Sequence, residues 1–217
     1  MRWPGDLGDA KRIQESLGEE VKIVALTRRP LLIAGVDAAF SGGLVIGVAS
    51  LYRYPAMVPL EDAHAVLEVL FPYVPGFLSF REGPAIIDAV KALRTRPDVI
   101  IFDGQGIAHP KGVGIASHLG VLLNVPSIGC AKSRLVGEYE EPGTKKGAWS
   151  PLLYKGKIVG AVLRTRENVK PVFVSPGHRI TLRETIQIVL SCLKTYRIPE
   201  PLRRADLLSR ELKSRYV

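Results

Sequence analysis

The chain has 217 residues, which at about 150 residues per domain allows one compact domain with a real core. Hydrophobic residues make up 47% and charged residues 24%, proportions that exclude a disordered, collagen-like or disulfide-framework protein. Thirty Lys and Arg against twenty-one Asp and Glu leave a formal charge of +9, an excess that suits a polyanion, nucleic acid above all.

The N-terminus, Met1-Arg2-Trp3-Pro4-Gly5-Asp6, lacks the apolar core of a signal peptide, and later apolar runs such as Val99 to Phe102 are far below membrane-span length. Cys130 and Cys192 stand far apart without metal-ligand spacing. A soluble, cytoplasmic protein with reduced thiols and no zinc is expected. From Asp6 to Glu20 the polar pattern predicts a surface helix, and the Arg28-Arg29-Pro30 cluster ends the connector after it, so residues 1–30 form a lead-in. Leu31 to Val36 is a continuous apolar run expected to form a buried central strand, with Asp37 at its end. Ser41-Gly42-Gly43 is a turn, Leu44 to Tyr54 a second strand and Ala63 to Leu70 a third, giving an opening meander.

Pro72-Tyr73-Val74-Pro75-Gly76 is neither helix nor regular strand, because its prolines remove backbone donors and its glycine favours a turn. Glu82 to Leu93 carries Ile86, Ile87, Val90 and Leu93 at helical spacing, which places Glu82 in the first turn. Asp98 to Phe102 predicts another buried strand ended by Asp103-Gly104, followed by a helix from Gly112 to Leu123 and a strand from Ser127 to Cys130. Leu152 to Tyr154 and Ile158 to Leu163 pair through a Lys155-Gly156-Lys157 hairpin, and Val172 to Val174 is a further short strand. Helices from Thr181 to Leu193 and from Leu202 to Arg215 close the chain. With no repeat, low-complexity stretch or long linker, the pattern is one α/β domain over residues 1–217, antiparallel strands first and helix-linked parallel strands after.

Asp37 and Asp103 each end an apolar strand, where carboxylates converge at one edge of a sheet, and Glu82 opens the helix between them. Clustered carboxylates repel unless a cation neutralises them, and hard oxygen ligands favour Mg²⁺ or Mn²⁺. The chemistry that follows is metal-assisted phosphodiester cleavage. Taken singly, each acid has a plainer reading: Asp37 and Asp103 as turn residues, Glu82 as a charge favoured by the helix dipole.

The stretches Asp103-Gly104-Gln105-Gly106-Ile107-Ala108-His109-Pro110 and Pro72-Tyr73-Val74-Pro75-Gly76-Phe77-Leu78-Ser79-Phe80-Arg81-Glu82 together resemble the endonuclease V family. The resemblance extends through Gly35-Val36-Asp37, Gly129-Cys130-Ala131-Lys132-Ser133, Ser175-Pro176-Gly177-His178-Arg179-Ile180 and Arg204-Ala205-Asp206, in the family's order, from Leu31 to the C-terminus. It implies a ribonuclease H-like mixed sheet flanked by helices. The implied activity is that of deoxyribonuclease V, an endonuclease of DNA repair that flips out a deaminated purine, hypoxanthine in (deoxy)inosine, and hydrolyses the second phosphodiester bond on its 3′ side. The implied partner is DNA containing deoxyinosine, with inosine-containing RNA as the alternative; the implied cofactor is Mg²⁺, with Mn²⁺ as a substitute, and the implied state is a monomer.

Carried over from the family, Asp37, Glu82 and Asp103 become metal ligands. The last site position, on the C-terminal helix, is His in some members and Asp in others; here Asp206 is either a further metal ligand or a surface helix residue. Lys132 would hold the scissile phosphate or position the attacking water, and His109 would touch phosphate, brace its loop or act in acid-base catalysis. Tyr73 matches the family's strand-separating wedge, held rigid by Pro72, Val74 and Pro75, although a tyrosine in a Pro-rich loop is ordinarily a packing residue. Gly76, Leu78, Gly104 and Gly129 match the pocket for the flipped base, where glycine permits close backbone approach.

His178 belongs to a motif expected to shape a loop beside the site, and His118 is expected to be structural. Lys145, Lys146, Lys155, Lys157, Arg164 and Arg166, with Arg203, Arg204, Arg210 and Arg215, are solvated charge by default, some of them holding backbone phosphates in a nuclease. Two alternatives share parts of the pattern: another ribonuclease H-like nuclease, which would lack the tyrosine loop, and a non-catalytic inosine-binding module, which would tolerate the loss of an acid. A dinucleotide-binding enzyme is set aside, because neither a G-x-G-x-x-G fingerprint nor a G-x-x-x-x-G-K-[ST] loop occurs.

Overall fold

The computed structural model describes residues 3–216, so Met1, Arg2 and Val217, the outermost positions of the expected domain, lie outside the described residues. A helix, α1 (Leu7–Glu20), leads into a meander of β1 (Leu32–Ser41), β2 (Leu44–Arg53) and β3 (Val58–Glu68). Next come α2 (Leu78–Ala92), β4 (Val99–Phe102), α3 (Ile115–Leu123) and β5 (Ser127–Ala131). The chain closes with β6 (Trp149–Tyr154), β7 (Lys157–Leu163), β8 (Val172–His178), α4 (Leu182–Ser191), α5 (Glu200–Lys213) and a 3₁₀ turn at Ser214–Tyr216.

All eight strands join one sheet in the order β3-β2-β1-β4-β5-β8-β7-β6. β1, β4 and β5 run parallel, and every other neighbouring pair is antiparallel. Alternation along the strands divides the core. Ile33, Val99, Ile101, Ile128 and Cys130 pack with α4 and α5, while Ala34, Val36, Ile100 and Phe102 pack with α2 and α3. Cys130 and Cys192 are buried and free, and burial pushes both thiols up, that of Cys192 to about 12. Among the described residues no helix is long and apolar enough to cross a membrane.

Three expectations are corrected here. β1 does not stop at Asp37: it continues to Ser41 because residues 38–41 go on pairing with β2 up to the Gly42-Gly43 turn. Asp37 is instead the first β1 residue beyond the ladder with β4, whose last pair is Val36 with Phe102. Helix α2 begins at Leu78 and carries Pro84 in its interior, so Glu82 falls beyond the first turn. Finally, α1 is more than a surface lead-in: it buries Ala10, Gln14 and Leu17, and Asp6 caps it by accepting from the Asp9 N–H at 2.8 Å.

Candidate active site

Three aspartates from three elements meet where the parallel strands end. Asp37 and Asp103 keep the alternation of Ile33 and Ile101 and so point to the α5 face. Helix α5 lies unusually close to β1 because residue 35 is glycine; a Cβ there would sit 2.2 Å from the Leu202 nitrogen. That approach brings Asp206 to the other two, and each of Asp37, Asp103 and Asp206 offers a carboxylate oxygen within 4.8 Å of the others.

The cluster is wired to cations and a hydroxyl. Lys132, just past β5, places its Nζ 2.6 Å from Asp103 Oδ2 and 3.4 Å from Asp206 Oδ1. Arg210 pairs with Asp206 at 2.8 Å, and the Ser209 hydroxyl donates to Asp37 Oδ2 at 2.8 Å. Burial, together with the charges of Asp103 and Asp206, pushes the Asp37 carboxyl up to about 6 against the opposing hydrogen bond from Ser209. Burial alone would lower Lys132, but its hydrogen bond to Asp103 and the surrounding carboxylates outweigh that and hold the ammonium above its ordinary value. Ser209 was not anticipated, although its position three residues after Asp206 puts it on the same helical face.

Glu82 stands back from this group. Its carboxyl is part-buried and is pushed up to about 8 by burial and by the charges of Asp37 and Asp103, yet it lies outside the oxygen cluster. Of the expected acids, Asp37, Asp103 and Asp206 are brought together, and Glu82 stands behind them. Three hard oxygen donors at this spacing, one of them raised by burial and by its neighbours' charge, fit a divalent cation.

Beside the acids opens a pocket of about 410 Å³ whose wall includes Tyr73, Val74, Pro75, Gly76, Leu78, Gly104, Asp103 and Lys132. Gly104 has φ +150°, and a Cβ there would collide with Ile115 at 2.6 Å. Helices α2 and α3 both start at the pocket without a side-chain cap; in their first turns the Phe80 N–H donates to the Phe77 carbonyl and the Ala116 N–H to the Gln105 carbonyl. Tyr73 is 70% exposed on the rim, while Val74 packs toward Phe71 and Phe80 and Pro72 is exposed.

Several expected residues take other places. Gly129 does not line the pocket; it lies beneath the turn of residues 104–106, against their backbone. His109 is buried with both ring nitrogens engaged, Nδ1 accepting from the Lys111 N–H and Nε2 lying 3.1 Å from the Gly76 carbonyl. It braces the pocket loop, and burial lowers its pKa against the Gly76 hydrogen bond. Gln14 of α1, unforeseen in the sequence, donates to the same Gly76 carbonyl at 3.0 Å. The Ser175-Pro176 part of its motif shapes the pocket turn, with Ser175 Oγ accepting from the Gly106 N–H at 2.8 Å and the Pro176 carbonyl from Ile107. His178 sits at the opposite end of β8 and accepts from the Lys22 N–H. His118 is structural as expected, buried against Ser79, Trp3 and Phe80. Arg164 and Arg204 are not free charge: the first is buried among carbonyls and the second clamps Asp62.

The sequence profile of the family described as Endonuclease V matches residues 15–207. Endonuclease V of Geotalea uraniireducens is 50% identical over 212 residues, covering 98% of this chain and 91% of its own. The crystal structure of Endonuclease V from Streptomyces avermitilis superposes with a TM-score of 0.94 at 41% identity, over 98% of this chain and 95% of that one. That of Ciona intestinalis Endonuclease V in complex with a 24-mer DNA containing an inosine followed by a ribo-adenosine gives a TM-score of 0.84 at 29% identity, over 96% and 98%. The helix-flanked mixed sheet is thus the ribonuclease H-like fold of these enzymes, and the chain belongs to the endonuclease V family.

Proposed function

We propose that this nuclease is a metal-dependent endonuclease of DNA repair that takes hypoxanthine out of the stack and hydrolyses the second phosphodiester bond 3′ to it. The observation that carries the reading is that Asp103 and Lys132 belong both to the carboxylate cluster and to the wall of the pocket. Recognition and hydrolysis share an edge, so a base seated in the pocket brings nearby phosphates to the acids.

Asp37, Asp103 and Asp206 would hold Mg²⁺, or Mn²⁺ in its place, which supplies a water activated near neutral pH and neutralises charge building on the phosphate. Lys132 keeps its proton beside Asp103 and Asp206 and offers the remaining N–H donors to a phosphate oxygen. Gly76, Leu78 and Gly104 admit the base edge to main-chain groups, and exposed Tyr73 fills the gap left in a duplex, where unstacking costs a few kcal/mol. The chain acts as one catalytic unit and a monomer, in the cytoplasm, on DNA containing deoxyinosine.

The test is cleavage of matched DNA and RNA oligonucleotides, each with one inosine or one guanine, in Mg²⁺ and in EDTA, with the product sized. Cutting of the inosine DNA alone, at the second 3′ bond and only with metal, is expected. Equal cutting of the guanine control, cutting in EDTA, or a product of another length would overturn the reading.

A further inference from the structure

Lys132 continues β5 one residue past its pair Ala131 with Phe173, which sets it level with Val172. Val172 pairs with Leu163, and Leu163 with Trp149. Trp149 therefore stands in the same transverse row as Lys132, three strands and about 14 Å away at roughly 4.8 Å per strand. Its partner Leu163 belongs to the core beneath α4 and α5, the face onto which Asp37 and Asp103 also point. The indole shares both the end and the face of the active centre, yet it lies on the outermost strand and is 49% exposed.

The loops flanking it are held in one shape. Arg164, its side chain 8% exposed, donates to the carbonyls of Pro142, Gly143 and Val169 and to the Glu141 carboxylate. The Gly147 N–H donates to the Arg164 carbonyl and the Asn168 N–H to that of Thr144. With Arg164 consumed in this way, the exposed charges on residues 143–149 and 164–170 are Lys145, Lys146, Arg166 and Lys170 against Glu167 alone.

We propose that this loop pair is a second nucleic-acid contact, which grips the duplex flanking the lesion. The assignment rests on the endonuclease reading above. Cations on a fixed backbone neutralise phosphates without a loop-ordering cost, and an open indole packs on a sugar or a base. A span of about 14 Å corresponds to about four base-pair steps at 3.4 Å each, so a substrate held by its flipped base reaches the loops with flanking duplex and not with the lesion.

The experiment measures Kd in Ca²⁺, which suppresses cutting, on duplexes with one deoxyinosine, or guanine in its place, and an arm of about two or about eight base pairs on each side in turn. For the wild-type protein the longer arm is expected to tighten binding on one side. In Trp149→Ala and in Lys145→Ala/Lys146→Ala that gain should fall about tenfold, and the double variant's salt slope should be shallower by about 0.9 per lysine removed. Lys155→Ala/Lys157→Ala removes the same charge from the far end of the same hairpin and should leave the gain intact. Equal losses at both arm lengths, no loss, or an equal effect of the far-end pair would overturn the proposal. If the wild-type protein prefers deoxyinosine over guanine at neither length, the endonuclease reading fails instead; a long-arm gain that still depends on Trp149 would then uphold the loop pair alone.

Discussion

Asp98 and Asp37 flank opposite ends of the parallel ladder between β4 and β1, and their surroundings treat the carboxylate in opposite ways. Asp98 accepts from the Leu31 and Leu32 N–H groups at 2.8 and 3.0 Å and from Arg28 at 2.6 Å. These donors outweigh burial and hold its carboxyl below the usual range. Asp37 has one hydroxyl donor, and burial together with two neighbouring carboxylates pushes it up to about 6. Asp98 is given its donors by the neighbouring backbone and Arg28, whereas Asp37 is left among like charges that Lys132 only partly offsets.

The largest expected effect breaks the comparison at its functional end. Asp37→Asn or Asp103→Ala should lower single-turnover cleavage of deoxyinosine DNA by about a thousandfold or more, while binding in Ca²⁺ stays within a few-fold and the thermal midpoint does not fall. A cleavage rate near wild type would remove that aspartate from the centre, and a lost fold would make it structural like Asp98.

The complementary substitution is Asp98→Asn, which should leave cleavage unchanged and cost about 1–2 kcal/mol of stability through its lost charged hydrogen bonds. Because the folded carboxyl is depressed, its contribution is fully present above the unfolded value of about 3.9 and is lost as pH falls through the lower folded one. Melting of wild type and variant from neutral pH downwards should therefore give midpoints that converge in acid. A constant gap would assign the effect to packing.

Tyr73 and His109 sharpen the same division within the pocket. Tyr73 is the exposed group, and Tyr73→Ala should weaken binding to inosine in a duplex about tenfold more than in a single strand, since only the duplex needs its stacking replaced. Equal losses would make it a direct base contact. His109→Leu, which removes the brace on Gly76, should raise Kd about threefold and leave the single-turnover rate at saturating enzyme unchanged. A fall in that rate with its pH profile altered would restore His109 to the chemistry.

Asp37 and Asp103 were legible because an apolar strand running into an acid is a local pattern, and the family motifs fixed their company. Asp206 was only half legible: its place depends on α5 approaching β1 at Gly35, a contact between segments far apart in sequence. The start of α2 reads too late in the sequence because the apolar spacing of Ile86, Ile87, Val90 and Leu93 marks only its later turns, whereas the helix begins at Leu78 and runs through Pro84. Arg164 looked like one more cation after a strand, and its four acceptors come from loops on either side. Gln14 was hidden for the same reason: its partners, Gly76 and Val113, lie in other segments. Patterns along the chain reveal which face an element buries, but not which distant backbone will meet it.

The docking of α5 on Gly35 also sets an order in time. A chain made from its N-terminus has the last residue of the pocket wall, Leu135, long before Asp206 and Ser209. While α5 is still inside the ribosome, the growing polypeptide carries the whole lining of the pocket and lacks Asp206 and Ser209 of the neighbouring carboxylate cluster. The cluster is the last part of the site to be completed on the way out.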